Sequence, residues 1–225
     1  TDRLLSELYH PQEHRHHPLQ ALVVIKLDIN SFKPFNEHPY NHDVGDQGLI
    51  AVADRFREAT KEGVDILCRY GQGDEFAIVL QVFEVGVDYA DLFAKKLERI
   101  NKNLYIKAPN GDILPLTLSA GYSVAEKTEK NEDKKTTEQL LREAEAMERA
   151  AKLEEKGRRW LAALTKTYPR LAGAELSFRK PTSDSPEAIE YEIRLADGLV
   201  HIISLSSEQK GKIEFAAKIL EVLEK

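Results

Sequence analysis

The chain lacks the means for a disulfide, a membrane span or a broadly basic surface. Its single cysteine, Cys68, excludes an internal disulfide framework and fits a reducing compartment. Cys68 falls within an apparent strand and reads as a small core residue rather than a nucleophile. No segment approaches the roughly 20 consecutive apolar residues of a transmembrane helix, and no secretory signal pattern is present. The expectation is a cytoplasmic domain without membrane contact. Lys plus Arg number 32 against 38 Asp plus Glu, a net charge of -6, which argues against a general nucleic-acid binder. Any phosphate ligand must be held locally, by loops and a metal. Methionine is nearly absent as well: Met147 stands alone and the chain opens at Thr1. This reads as a piece of a longer protein, with a sensor domain or membrane anchor expected ahead of it.

What is present suffices for one substantial core, since 42% of 225 residues are hydrophobic. Leu4, Leu5 and Leu8 lie at helical spacing, and His10-Pro11 ends that helix. The histidines from His10 to His17 invite a metal site, yet no cysteine or carboxylate cluster supplies partners at zinc-like spacing, and a solvated loop is preferred. Leu22 to Asn30 is a nearly continuous apolar, β-branched run, the pattern of a strand buried on both faces. Asp28 stands at its end. An acid there is costly unless paired. A cation shared with Asp74 and Glu75 would pair it, a reading placed ahead of simple capping of the next segment.

From Val44 a helix is expected, with Leu49, Ile50, Val52, Ala53 and Phe56 on one face and Asp43 or Asp46 as its cap. A strand from Val64 to Tyr70 then leads into Gly71-Gln72-Gly73-Asp74-Glu75 and the apolar run Phe76 to Leu80. That reads as strand, tight turn, strand, with two acids at the mouth of a hairpin and glycines that let backbone N-H groups approach an anion. Alone, such a turn most often only turns. Tyr89 to Ile100 gives a second amphipathic helix with Leu92, Phe93, Leu97 and Ile100 inward. Asn110-Gly111-Asp112 predicts a hairpin between Leu104–Lys107 and Ile113–Ser123, and Glu126 to Lys135 reads as a solvated loop. A third helix starts at Thr136 and ends near Gly157. Beyond Leu164, strands are expected at 174–179, 189–195 and 199–205 and a closing helix at 207–223, with no chemistry of their own. The domain plan is therefore 1–164, followed by a small β-β-β-α appendage at 165–225.

Asp28, Phe32-Lys33, Asn36, His42-Asp43-Val44-Gly45-Asp46, Arg69-Tyr70-Gly71 and Gly73-Asp74-Glu75-Phe76 together resemble the GGDEF family of diguanylate cyclases. Leu118 to Tyr122, Ala150-Ala151-Lys152 and Gly157-Arg158 extend the likeness to about residue 159. The resemblance implies an α+β fold, a ferredoxin-like palm of antiparallel sheet with flanking helices and the signature hairpin at its centre. It implies a homodimer that condenses two GTP molecules into cyclic di-GMP, with Mg²⁺ or Mn²⁺ as cofactor. By that likeness Asp28, the Ile29 carbonyl, Asp74 and Glu75 are metal ligands, and Asp28, Asp74 and Glu75 are the catalytic acids. Ser31, Phe32 and Lys33 wrap the β and γ phosphates, Asn36 and Asp46 read the guanine edge, and Gly71 and Gly73 line the substrate. Lys152, with Lys156 in place of the family's arginine, contacts phosphate.

The chain departs from the family at Gln72, which separates the two signature glycines, and at Glu62, where the family's inhibitory product site has an arginine ahead of Asp65. No product feedback through that site is expected. A catalytically impaired nucleotide-binding or scaffold module, and a palm cyclase acting on another nucleotide, are the competing expectations.

Overall fold

The structure is a computed structural model that describes residues 1–10, 18–37, 39–69, 73–179, 189–205, 215–219 and 221. The chain divides into two compact units, Thr1–Arg149 and Ala150–Lys225.

The first unit is built on a four-stranded antiparallel sheet of β1 (Ala21–Ile29), β2 (Ile66–Arg69), β3 (Glu75–Val82) and β6 (Leu118–Glu126), in the order β2-β3-β1-β6. A separate ribbon pairs β4 (Tyr105–Lys107) with β5 (Ile113–Pro115). The helices are α1 (Asp2–Tyr9), α2 (His42–Ala59), α3 (Tyr89–Asn101) and the long α4 (Thr137–Thr165), which runs from the first unit into the second. Every residue of β1 is buried, as its nearly continuous apolar run predicts. Its odd residues Val23, Ile25 and Leu27 join a core with Val52 and Phe56 of α2 and Phe93 and Ile100 of α3. Leu22 and Val24 face the other way, toward Leu5 and Leu8 of α1 and Leu140 of α4.

Several local expectations are corrected. Asn41, not Asp43 or Asp46, caps α2: its side-chain oxygen accepts from the Val44 N-H at 3.3 Å, which satisfies one orphan amide of the first turn. Ile50 is 60% exposed rather than inward. Cys68 is exposed, because β2 is the sheet's edge strand; the signature hairpin thus has one central strand and one at the rim. The expected strand 113–123 is two strands, since the Leu116 N-H turns back to the Leu104 carbonyl at 3.0 Å before β6 joins β1. The loop expected from Glu126 begins only after β6, and contains a 3-10 turn at Asn131–Asp133. Helix α4 passes through Gly157 and ends at Thr165. Gly157 is not a stop there but a recess, since a Cβ would lie 2.5 Å from the Tyr191 ring.

The second unit holds the antiparallel sheet β7 (Glu175–Arg179), β8 (Ile189–Arg194) and β9 (Val200–Leu205) in that order. Tyr191 is fully buried, and its hydroxyl donates to the Leu153 carbonyl at 2.7 Å, so a phenol is buried with its polar end satisfied. Phe215 lies in a helical segment, 215–219, and packs against it edge-on. The loop at 180–188 and much of the expected closing helix lie outside the described residues. Among the described residues no helix is long and apolar enough to cross a membrane.

Candidate functional site

The antiparallel register sets Asp28 directly opposite Glu75 on β3 and opposite Ser119 on β6. Directly opposed residues share a face, so the two carboxylates are brought together at the ends of the two central strands. Asp28 is 7% exposed, whereas the Glu75 side chain is about half exposed. Asp74 follows on the same ladder, its carbonyl accepting from the Ile29 N-H at 3.4 Å. Gly73 precedes it at φ +141°, a value that favours glycine. Its carbonyl accepts from Arg69 Nε at 2.8 Å and Nη2 at 2.6 Å, which ties the two hairpin strands together below the turn. Gly71 and Gln72 lie outside the described residues.

After β1 the chain makes a fixed turn. The Asn30 N-H donates to the Thr117 carbonyl at 2.8 Å, and Asn30 Oδ1 accepts from the Ser119 hydroxyl at 2.7 Å. Ser31 adopts φ +54°, in the left-handed region. Such conformations concentrate in turns whose N-H groups form a concavity for anions. A 3-10 turn, Lys33–Asn36, follows, with Phe32 and Phe35 stacked at 6.0 Å between centroids. The Lys33 ammonium is exposed, 3.4 Å from Glu37. Asn36 is carried back against the start of α2, where its Oδ1 lies 3.3 Å from His42 Nδ1 and abuts Gly45 so closely that a Cβ there would sit 2.1 Å away. Asp46, the next residue, is exposed on the same helix start. The turn therefore carries Asn36 against the start of α2, where Asp46 is the next residue after Gly45, and the sheet sets Asp28 across from Glu75.

Among the described residues, no group of three or more His, Cys, Asp or Glu side chains forms a ready cage for a metal. The donor set nevertheless suits magnesium, which is usually held by one or two carboxylates together with substrate phosphates and water rather than by an all-protein cage. Asp28 and Glu75 would supply such carboxylates, with Asp74 and the Ile29 carbonyl beside them. Lys152 and Lys156 lie on the part of α4 that belongs to the second unit.

Two side chains that the sequence reading passed over bear on this site. Lys26 shares a strand face with Asp28, is 4% exposed, and places its ammonium 3.8 Å from Glu75 Oε2 and 3.3 Å from Glu145 Oε2 on α4. Its signal was the one charge inside an otherwise apolar run ahead of Asp28. His42 was seen only as part of a motif, not as a neighbour of Asn36.

A cleft of about 730 Å³ opens between α2 and β2, lined by Leu49, Ala53, Leu67 and Phe76, with Arg57 and Arg69 among its polar groups; Asp28, Asn36 and Asp46 do not line it. Asp65 is consumed internally, accepting from the Lys61 N-H at 2.8 Å and the Gln81 N-H at 3.3 Å. Nearby, burial lowers the pKa of Lys96.

The family model described as diguanylate cyclase, GGDEF domain, matches residues 2–158. Diguanylate cyclase VdcA of Vibrio cholerae is 33% identical over 113 residues, 50% of this chain and 32% of VdcA. An uncharacterized membrane protein of Staphylococcus epidermidis is 27% identical over 68% of this chain and 40% of its own length. The chain thus spans less than half the length of these relatives. The crystal structure of the GGDEF domain of PA1120 (YfiN or TpbB) from Pseudomonas aeruginosa matches with a TM-score of 0.50 and 28% identity, over 67% of this chain and 83% of that one. Diguanylate cyclase SiaD of Pseudomonas aeruginosa, in complex with its activator SiaC, matches with a TM-score of 0.50 and 25% identity, over 67% and 53% of the two chains. The matched span covers the sheet, the facing acids and the asparagine turn alike, and the chain belongs to the GGDEF domain family.

Proposed function

We propose that this domain condenses two GTP molecules into cyclic di-GMP and releases two pyrophosphates. The observation that carries the reading is the buried Asp28 set directly across the ladder from Glu75 at the ends of the central strands. A fold has little stability reason to keep facing acids at a buried strand end unless a cation and phosphates belong there. In each half-reaction the 3'-oxygen of one GTP bonds to the α-phosphorus of the other, the bond to the β-phosphate breaks, and pyrophosphate leaves. Magnesium, when bound, polarises the α-phosphate and neutralises the departing pyrophosphate.

Asp28, Asp74 and Glu75 hold that cation together with the Ile29 carbonyl, and Glu75, the half-exposed acid, takes or steers the 3'-hydroxyl proton. The Ser31-Phe32-Lys33 turn receives the β and γ phosphates through its N-H groups and the exposed Lys33 ammonium. The Asn36 amide oxygen and Asp46 carboxylate accept from guanine N1-H and its 2-amino group. Adenine offers no such donor pair, so ATP would leave these acceptors unpaired. Each chain holds one GTP, so catalysis takes a homodimer with two sites face to face. The engagement of Asp65 by backbone amides supports an absence of product feedback.

A second reading, a nucleotide-binding module without turnover, is favoured by one observation: Glu75 already has a lysine 3.8 Å away. Incubation with Mg²⁺ and each labelled nucleoside triphosphate decides. Cyclic di-GMP from GTP, reduced about 10³-fold in Asp74→Ala, is expected by analogy with loss of one preorganised transition-state contact. GTP binding without product selects the second reading, and product from ATP selects a different palm cyclase.

A further inference from the structure

The ion triad centred on Lys26 is not explained by the reaction. Lys26 is the only charged side chain in the apolar body of β1 ahead of Asp28, and its side chain is 6% exposed. Ammonium groups are rarely buried to this degree without carboxylate partners. Two are at hand on different elements: Glu75 of β3 at 3.8 Å and Glu145 of α4 at 3.3 Å, with side chains 47% and 62% exposed. Both acids reach inward from wetter surroundings to one buried cation. Helix α4 lies close above, because Gly121, opposite Lys26 on β6, leaves room for its backbone: a Cβ at Gly121 would sit 2.2 Å from the Ala144 carbonyl oxygen and the Glu148 nitrogen.

We propose that Lys26 is a positioning residue and built-in counter-cation that competes with the divalent metal for Glu75, with Glu145 as the acceptor that takes the ammonium when the metal arrives. The idea rests on the reading of Asp28 and Glu75 as metal ligands, and extends it to residues outside that set. Two cations cannot share one carboxylate at close range without mutual repulsion. Metal entry therefore draws Glu75 away from Lys26, and a fixed acid on α4 lowers the cost of that exchange. Metal affinity becomes coupled to the seat of α4 on the sheet.

The consequences have opposite signs, so a merely structural role would not reproduce them. Lys26→Met keeps the length of the side chain, and the two acids it leaves behind have side chains 47% and 62% exposed, so water can take the place of the ammonium. Removing its charge is expected to tighten Mn²⁺ binding about tenfold. Glu145→Gln, at an exposed position, removes the acid that draws the Lys26 ammonium away from Glu75 and is expected to weaken Mn²⁺ binding about threefold. In Lys26→Met/Glu145→Gln the second change has nothing left to act on, so the double variant binds as Lys26→Met does.

The measurement is the free Mn²⁺ signal in electron paramagnetic resonance, titrated on the full chain without nucleotide, with Asp28→Asn as the control that locates the bound ion. Equal affinities in wild type, Lys26→Met and Glu145→Gln would overturn the inference while leaving the cyclase reading intact. The opposite shifts without any cyclic dinucleotide from GTP would sustain the inference and remove the cyclase reading. Mn²⁺ binding that survives Asp28→Asn unchanged would overturn the assignment of these residues to the metal, and the inference with it.

Discussion

The two faces of β1 follow different rules. Toward α2 and α3 the strand presents Val23, Ile25 and Leu27, each at most 2% exposed and packed among Val52, Phe56 and Phe93. Toward α4 it begins in the same manner, with Leu22 and Val24. Two residues on it carries Lys26, and then Asp28 opposite Glu75. Both faces are buried, so burial alone does not distinguish them. The difference is that one face lowers the free energy of the fold through apolar burial, whereas the charged end of the other costs desolvation that only its partners offset. Under the proposed function that cost has a reason, since the charges at this end serve a cation and phosphates.

The sharpest way to break this comparison is a pair of substitutions three positions apart. Ile25→Ala removes a fully buried side chain from the α2 and α3 face and is expected to cost about 3 kcal/mol of stability. Asp28→Asn on the opposite face is expected to stay within about 1 kcal/mol of wild type, because the neutral isostere keeps the shape and hydrogen-bonding capacity while shedding the desolvation cost of a buried carboxylate. Turnover should behave the other way round. Asp28→Asn lowers the rate of cyclic dinucleotide formation about 10³-fold, while Ile25→Ala below its melting temperature retains activity. Denaturant melts and rate measurements on both variants provide the test. Loss of stability in Asp28→Asn comparable to Ile25→Ala would mean that the charged end is a structural element after all.

A smaller effect separates substrate reading from the acid pair. Gly45 sits in the first turn of α2 with the Asn36 side chain pressed against it, and a Cβ would meet Asn36 Oδ1 at 2.1 Å. The obstructed atom is the end of a movable side chain, so Gly45→Ala should displace the amide rather than unfold the helix. The expected outcome is a rise in KM for GTP of about tenfold with kcat little changed, and a melting temperature close to wild type. A fall in kcat at unchanged KM would show that the Asn36 turn and the acids act as one device rather than two.

Sequence made the strongest elements visible because their causes are local. The run Leu22 to Asn30 is apolar and β-branched enough to be a central strand in any context, and an acid at its end is anomalous on sight. The Asn110-Gly111 turn is likewise local, and β4 and β5 flank it as expected. What escaped was set by partners distant in the chain. The strand expected to run on from β5 breaks because Leu116 bonds back to Leu104 and β6 is claimed by β1. Gly157 looks like a helix stop until the ring of Tyr191 is seen to occupy the space of its missing side chain. Cys68 looks like core until β2 proves to be an edge. Lys26 could be noticed in sequence but not interpreted, because Glu145 lies far along the chain on another element. Asp28, Asp74 and Glu75 were legible singly. The cation that pairs with Glu75, and its second acid Glu145, were not.

The smallest expected effect tests the apolar end of the α4 face, where one polar group intrudes. Ser123 of β6, opposite Val24, is 4% exposed and donates its hydroxyl to Glu143 Oε2 at 2.6 Å; Lys135 Nζ lies 2.6 Å from the same oxygen. Burial alone would raise the Glu143 carboxyl, but hydrogen bonds from Lys135 and Ser123 together with the Lys135 charge outweigh it, and its pKa is lowered from 4.5. A folded-state pKa below the unfolded value means that the ionised group stabilises the fold above about pH 4.5. That contribution is lost as pH falls through the lowered folded value. Because the Glu143 side chain is 47% exposed, solvent screening holds the effect of Glu143→Gln to about 0.5 kcal/mol at neutral pH. Denaturant melts of the two proteins should differ by that amount at neutral pH and converge in acid. A gap that persists in acid would assign the contribution to packing of the side chain, and this end of the face would then follow the rule of Ile25 rather than that of Asp28.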